Sequence, residues 1–528
     1  MYLITSAAYI GSDLQSEFGQ LPPSFLPVGN KRLFHHQISK IPQGEQIYLT
    51  LPEDFDIGPY DAQSLADYQV TILKLPLYLS LGKSINYALN LIEFDPQEPL
   101  YILHGDTLLD ELPQHSNMLC VSEVETNYEW TEYDQTSQQL KPYQADNQQQ
   151  SSYIVNGFFS FASPKKLIKH ITIANWDFIE GINGYHQEQP LTVINCEQWY
   201  DFGHSQTYYN AKSKMTTQRA FNEMSISKHV VTKRSHKAFK LAAEKNWYQV
   251  LPGYLKIYTP QLLNSVQQDD YFEYSIEYLH LTALNELYAF SQLPAFAWQQ
   301  IIDACCQFIT DAQQYPTTSV IPSAALTQLF QQKTASRLAQ FAQENQFDLD
   351  MPLIVNGEAS LSINQLSHAS EPWLPKDNQI LNVLHGDFCF SNILFDFRTR
   401  AIKVIDPRGI DGDNQACIFG NSLYDIAKLA HSVIGLYDLI IAGYFTVELV
   451  DNRLNFSIAE TPNREQIISL FNHRIAKSFG VSYTQMLAMQ IQLFLSMLPL
   501  HADRPERQLA FIGNAYRLYQ LLLGEEAA

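Results

Sequence analysis

Basic residues are scarce in this sequence: 34 lysines and arginines face 55 aspartates and glutamates, for a formal net charge of -21. That balance repels nucleic-acid phosphates and anionic membrane surfaces, so neither is an expected partner, and an anionic small substrate needs local cations or a metal ion. Also missing is any apolar run of the ~18 residues that would span a bilayer. Met1 to Ile4 is strand-like and lacks the basic leader and longer apolar core of a secretory signal, so the expectation is a cytoplasmic protein. The six cysteines (Cys120, Cys196, Cys305, Cys306, Cys389 and Cys417) show no metal-ligand spacing, which points to free thiols in a reducing compartment. Only 17% of residues are charged and 46% are hydrophobic, the composition of folded material, and 528 residues exceed one ordinary core.

What is present is most specific between residues 381 and 409. His385, Gly386 and Asp387 are followed by four residues and then Asn392, and the apolar run Ile402 to Ile405 reads as a short strand that delivers Asp406 at its end. An acceptor-orienting carboxylate plus two hard oxygen ligands for magnesium is nearly the minimum equipment for phosphoryl transfer, which is mostly positioning and charge neutralisation. Asp406-Pro407-Arg408-Gly409 stands where a kinase carries Asp-Phe-Gly. The stretch resembles the aminoglycoside phosphotransferase and choline kinase superfamily, which phosphorylates small-molecule hydroxyls on a protein-kinase-like fold. The resemblance implies Asp387 as base, Asn392 and Asp406 as magnesium ligands, and ATP as phosphoryl donor.

Upstream of that stretch, Phe221 to Ser235 reads as two short strands around a turn, followed by helical spacing from Lys237 to Val250. This suits a kinase small lobe in which Lys233 meets the nucleotide phosphates and Glu244 holds the lysine; the other reading of Lys233 is a surface lysine in a patch with Lys228, Arg234 and Lys237. No glycine-rich phosphate loop is present, which leaves Ser225, Ser227 and backbone amides to cover the phosphates. Tyr271 to Leu279 reads as an edge strand leading to a hinge, where the resemblance implies the adenine seat. Residues 291 to 380 read as amphipathic helix with Trp298, Ile301, Ile302 and Phe308 facing a core, and an acceptor pocket is expected to draw on this region. Farther on, Asp425 matches an aspartate that braces the catalytic loop in these kinases. Arg408 and His431 are candidates to face the acceptor, His431 being more simply a satisfied histidine on a helix face.

Residues 1 to 220 alternate strands (Met1 to Ile4, Gln46 to Leu51, Gln69 to Leu73, Pro99 to Leu103) with helical patterns such as Ser84 to Ile92. Alternation of this kind predicts a doubly wound α/β sheet with ligands at the carboxyl ends of its strands. Pro22 to Val28, Gly105-Asp106-Thr107, Lys141-Pro142, Val155 to Phe159 and Trp199 to Gly203 then occur in the order seen in sugar-phosphate nucleotidyltransferases, which this region resembles. The resemblance implies Asp106 and Asp201 as magnesium ligands between nucleotide and sugar phosphates, Lys141 as the sugar-phosphate lysine, and a second NTP, of unknown base, as nucleotidyl donor. Two departures stand out: the first loop, Ser6 to Gly19, is glycine-poor and has no basic residue, and Pro23 occupies a lysine position of the family. Asp110, Glu111 and the acidic run from Glu123 to Glu132 read as a solvated rim, and Gln144 to Ser152 as an exposed loop.

The expected architecture is therefore an α/β doubly wound, Rossmann-like domain over residues 1–220 joined to an α+β protein-kinase-like domain over 221–528, with a small lobe to about residue 280 and a helical lobe after it. One half makes a phosphomonoester and the other consumes one, so the expected function is a bifunctional transferase. It phosphorylates a sugar or small alcohol and then forms an NDP-activated precursor for surface polysaccharide or cell-wall metabolism. The alternative is a small-molecule kinase fused to an inactive, ligand-binding nucleotidyltransferase-like domain.

Overall fold

A computed structural model of the chain describes residues 1–124, 130–142, 152–215, 223–227, 229–268, 271–317, 325–376, 380–412 and 414–527. The chain divides into two compact units, Met1–Met215 and Thr216–Ala528. The join expected near Arg219 to Phe221 lies outside the described residues, as do Lys228 and all but the last residue of the loop expected over Gln144 to Ser152. Among the described residues no helix is long and apolar enough to cross a membrane.

The first unit is built on a mixed sheet. Tyr2–Thr5 pairs in parallel with Ile47–Pro52 on one side and Leu100–His104 on the other, and Ile47–Pro52 continues to Val70–Leu75. These strands are short and apolar because both faces are covered, as parallel sheets require. Leu3, Ile102, Phe159, Leu167 and Ile171 share one core on the helical side. Ser152–Phe161 runs antiparallel beside Leu100–His104 and carries the sheet on to Thr131–Asp134 and Gln139–Pro142 at the far edge. The order reverses between Tyr2–Thr5 and Leu100–His104, so the carboxyl ends of these two strands open a crevice at residues 6 and 105.

Inside Ser152–Phe161 the register shifts between Val155 and Phe159, and Gly157 sits there with φ 88°. A Cβ at Gly157 would lie 2.7 Å from Thr107 Oγ1 and 2.9 Å from His104 Nδ1, so glycine lets this bulge close onto the end of the Leu100–His104 strand.

The second unit begins with a small antiparallel sheet in the order Glu223–Ile226, Val230–Ser235, Phe272–Glu277, Leu262–Gln267. Phe272–Glu277 is therefore interior rather than an edge strand. The edge is Leu262–Gln267, whose mostly exposed polar residues give no alternating apolar signal. The helix Ala238–Val250 packs on this sheet. Beyond residue 281 helices dominate, with Trp298, Ile301, Ile302 and Phe308 buried on Ala295–Ala312. The hairpin Ile393–Asp396 with Ala401–Val404 carries the catalytic-loop stretch. A second hairpin, Phe445–Val450 with Arg453–Ile458, lies in a region where sequence periodicity gave no strand.

Gly409, with φ 64°, lies against the helix Ala238–Val250: a Cβ there would come within 2.4 Å of the Ala243 carbonyl oxygen. Gly409→Ala is expected to destabilise the second unit by about 1–3 kcal/mol through overpacking, read as a lowered urea midpoint. An unchanged midpoint would contradict this close approach.

Candidate active sites

In the second unit the Val230–Ser235 strand turns Lys233 inward, where it is buried. Its Nζ lies 2.6 Å from Glu244 Oε1 and 2.5 Å from Asp406 Oδ1. Burial opposes the ammonium, but the carboxylates of Asp406 and Glu244 outweigh it and hold the lysine pKa above its ordinary value. Burial pushes the Glu244 carboxyl up. Tyr274 donates its hydroxyl to Glu244, and Tyr248 accepts the Asp406 N–H at 3.1 Å. Asp406 itself takes φ 58°, a left-handed conformation that breaks the strand ending at Val404 and turns the chain toward Pro407.

The catalytic-loop stretch is fixed from two sides. Asp425, on the helix Ser422–Val433, accepts from the His385 and Gly386 N–H groups at 2.8 Å each. Burial pushes its carboxyl up to about 7 against the pull of those two donors. His385 is fully buried, with Nε2 3.0 Å from the Ile405 carbonyl oxygen and Nδ1 3.3 Å from the Asp387 N–H. These partners assign the proton to Nε2, and burial lowers the pKa to about 4, so the ring is a neutral strut.

Asp387 opens on a cavity of about 600 Å³. Its Oδ2 accepts from Asn392 Nδ2 at 3.0 Å, and Lys428 Nζ stands 2.9 Å from Oδ1. Burial raises the Asp387 carboxyl, but the Lys428 charge and hydrogen bond, with Asn392, bring it below its ordinary value. Asn392 spends its amide N–H groups on Asp387, on the main-chain oxygen at 2.9 Å as well as the carboxylate, while its Oδ1 accepts from the Ser391 hydroxyl at 3.4 Å. Asn392 Oδ1 and the Asp406 carboxylate are hard oxygen donors of the kind magnesium takes from protein while completing its shell with water and phosphate. Among the described residues no group of three or more His, Cys, Asp or Glu side chains is arranged to hold a metal ion.

Sequence reasoning missed Lys428, Tyr248 and Tyr274. Lys428 was the accessible one, because it follows Asp425 by three positions on a helix and so shares its face. His431 is buried with Nδ1 2.9 Å from Gln490 Oε1 and its pKa lowered to about 3, mainly by burial; it is a core histidine.

In the first unit the crevice brings Asp106 and Asp201 together. Trp199–Asp201 pairs with Thr107–Leu109, and the Phe202 N–H donates to the Asp106 main-chain oxygen at 2.8 Å. A Cβ at Gly203 would stand 2.8 Å from Asp106 Oδ2 and 3.2 Å from Asp201 Oδ1, so both carboxylates crowd one point. Burial, then the charge of Asp201, pushes Asp106 up to about 7. His204 Nδ1 lies 3.6 Å from Asp201 Oδ2, a buried oxygen with no hydrogen-bond donor among the described residues. Two half-buried carboxylates repelling each other, one with an unsatisfied oxygen, fit a divalent cation.

The first loop adds a third acid rather than a base. Asp13 accepts the Ser205 N–H at 2.8 Å and its charge reaches His204. Ser24, beside Pro23, donates its N–H to Ser6 Oγ at 3.0 Å and its hydroxyl to the Gly105 carbonyl at 3.3 Å, so serines stitch the loop onto the crevice floor.

Lys141, the sugar-phosphate lysine that the resemblance implies, lies on a different strand from the aspartate pair. It sits on the edge strand Gln139–Pro142, three strands from Leu100–His104, with its ammonium 3.0 Å from Glu132 and 3.1 Å from Asp134. Glu132 is its directly opposed cross-strand partner, which explains the capture.

No known protein family and no curated protein matches the sequence. Solved structures that resemble it include an aminoglycoside-3'-phosphotransferase of type VIII, at 14% identity over 52% of this chain and 88% of that one, TM-score 0.31. Another is a thermostable aminoglycoside phosphotransferase APH(4)-Ia in ternary complex with AMP-PNP and hygromycin B, at 11% identity over 58% and 92%, TM-score 0.36. A third is the inositol-1-phosphate CTP transferase from T. maritima, at 16% identity over 40% and 95%, TM-score 0.30.

The Asp106 carboxyl, raised from 3.8 to about 7, holds a proton in the fold that the unfolded chain releases at lower pH. The stability this proton contributes is complete below about pH 4 and is lost as pH rises through about 7. Asp106→Asn escapes that loss. In EDTA, the melting temperature of the variant relative to the parent is expected to climb between pH 5 and pH 8, by about 2–4 °C per kcal/mol of repulsion relieved. A gap independent of pH would contradict the half-buried aspartate pair.

Proposed function

We propose that the second unit is a small-molecule kinase, which transfers the γ-phosphoryl group of ATP to a hydroxyl. In this reading the first unit is a nucleotidyltransferase that joins the resulting phosphomonoester to a nucleotide from a second NTP, with release of pyrophosphate. The boundary is taken near residue 220, and the product is an NDP-linked precursor of the kind used for surface polysaccharide or cell-wall metabolism. The observation that carries the reading is the buried Lys233 ammonium between Glu244 and Asp406, two carboxylates that line one cavity with Asp387 and Lys428.

Lys233 is the group that meets the nucleotide phosphates, and Glu244 keeps it aimed. Asn392 and Asp406 are the residues that would hold magnesium, which when bound offsets the charge of the phosphates. Asp387 accepts a hydrogen bond from the acceptor hydroxyl. The acceptor oxygen bonds to the γ-phosphorus, the bond from that phosphorus to the ADP oxygen breaks, and the acceptor proton passes to Asp387. Lys428 keeps the Asp387 carboxylate ionised, hence a weak base in the ground state that takes the proton late. That suits a loose transition state in which the nucleophile needs orientation more than deprotonation.

In the first unit Asp106 and Asp201 would hold the cation that draws the two anionic reactants together. Lys141, as placed here, belongs to a surface ion pair, so the metal pair carries the proposal without it.

Asp387→Asn is expected to lower ATP-dependent phosphorylation of an acceptor, found by screening sugars, polyols and amino alcohols, on the order of 10²-fold or more. Affinity for AMP-PNP should stay within about twofold, since the substitution leaves the Lys233 cluster intact. Near-parental turnover by the variant would overturn the kinase assignment. For the first unit, Asp106→Ala in the full chain is expected to let the phosphomonoester accumulate while pyrophosphate release stops. Undiminished pyrophosphate release from an Asp106→Ala, Asp201→Ala double variant would exclude this transferase site.

A further inference from the structure

The cavity at Asp387 is strongly basic in a chain whose overall charge is strongly negative. Lys237, Lys240, Lys333, Arg337, Arg408 and Lys428 line it, against the carboxylates of Glu244, Asp387 and Asp406. Glu244 and Asp406 share the Lys233 ammonium and Asp387 pairs with Lys428, so one carboxylate charge is left over against the five other lining cations. Lys333 and Arg337 are four positions apart on the helix Lys333–Asn345 and so present both cations from one face. Among the described residues neither of them, nor Arg408, has an ion pair, and all three are half-buried rather than extended into solvent.

Their mutual proximity registers in the groups they surround. Burial pushes the Tyr424 hydroxyl up, yet Lys428, Lys333 and Arg408 together bring it below its ordinary value. Tyr424 pulls Lys333 up, but burial and the like charges of Lys428, Arg408 and Arg337 leave the lysine pKa lowered. Gathering half-buried cations in excess of counter-charge is unfavourable in the free protein, and a ligand anion relieves it. Lys233 already supplies the nucleotide end with a cation, whereas the unpaired ones cluster with Lys428 on the Asp387 side, where the acceptor hydroxyl must lie.

We propose that the phosphoryl acceptor is an anion: a hydroxylated small molecule bearing a carboxylate or phosphate group, held by Lys333, Arg337 and Arg408 while its hydroxyl faces Asp387. The proposal rests on the kinase reading of this unit and adds the substrate class. A cavity of about 600 Å³ accommodates a molecule of monosaccharide size beside the nucleotide phosphates. The planar guanidinium groups of Arg337 and Arg408 each offer paired donors to such a group.

The test uses the full chain and matched probes, titrated by calorimetry with and without Mg·AMP-PNP. One series is glycerol, glycerate and glycerol 3-phosphate; the other is glucose, glucuronate, glucose 6-phosphate and, as the cationic control, glucosamine. At least one anionic member is expected to bind about tenfold or more tightly than its neutral parent, the worth of one charge-assisted hydrogen bond, and the carboxylate and phosphate arms identify which anion the pocket takes. Arg337→Gln and Lys333→Gln should each remove most of that preference, with Mg·AMP-PNP affinity changed by less than about twofold. The proposal is overturned if neutral or cationic probes bind as well as the anionic ones, if no probe binds, or if these substitutions weaken the nucleotide rather than the anion. Failure of the kinase reading would register separately, as absence of Mg·AMP-PNP binding by the parent protein, while the anion preference is still read in the nucleotide-free titrations.

Discussion

The buried ammonium of Lys233 is the interaction on which the second unit's site depends. It ties together three segments distant in sequence: the Val230–Ser235 strand, the helix bearing Glu244, and the turn at Asp406. A lone charge removed from water at this depth would be strongly destabilising, so the lysine can be held here only because both carboxylates reach it. Two carboxylates on one ammonium leave the group one negative charge in excess, and the raised pKa of Glu244 reflects this together with burial. The arrangement therefore suits a second cation at Asp406, with Lys233 staying on Glu244. Tyr274 donates to the Glu244 carboxylate and Tyr248 accepts the Asp406 N–H, and the approach of Gly409 to Ala243 sets how near the helix can come.

The first unit poses the same electrostatic problem with the sign reversed. Asp106 and Asp201 face each other without an ammonium between them, and the nearby Asp13 adds negative charge where a basic, glycine-rich loop would add positive. Among the described residues His204 lies beside the pair, with Nδ1 3.6 Å from Asp201 Oδ2, and that carboxylate raises its pKa. Taken as a pair, the two sites gather anionic protein groups, which in the proposed reading a cation from solution would complete.

Much of this was legible from residue order because the residues concerned act through local geometry. Asp387 and Asn392 belong to one loop, Asp406 closely follows one strand, and Lys233 and Glu244 occupy a strand and the helix after it, so residue order and the kinase resemblance together marked them as candidates. Asp106 and Asp201 come together because Asp106 directly precedes the short strand Thr107–Leu109, which pairs with the strand that Asp201 ends. The place of Lys141 was not legible, because it depends on the hairpin register, which sets it opposite Glu132. Leu262–Gln267 was missed because an exposed edge strand needs no apolar alternation. The basic face of the Lys333–Asn345 helix was not legible at all, because nothing local marks two cations on an amphipathic helix as facing a cavity rather than solvent.

The central claim, that the second unit assembles a magnesium-nucleotide site around Lys233, is tested most directly by the affinity of the full chain for Mg·AMP-PNP, measured by calorimetry before and after Lys233→Met. The account predicts saturable one-to-one binding by the parent protein that requires magnesium and weakens by at least about tenfold in the variant, the loss of one charge-assisted contact to phosphate. Equal binding by parent and variant, or binding indifferent to magnesium, would contradict it.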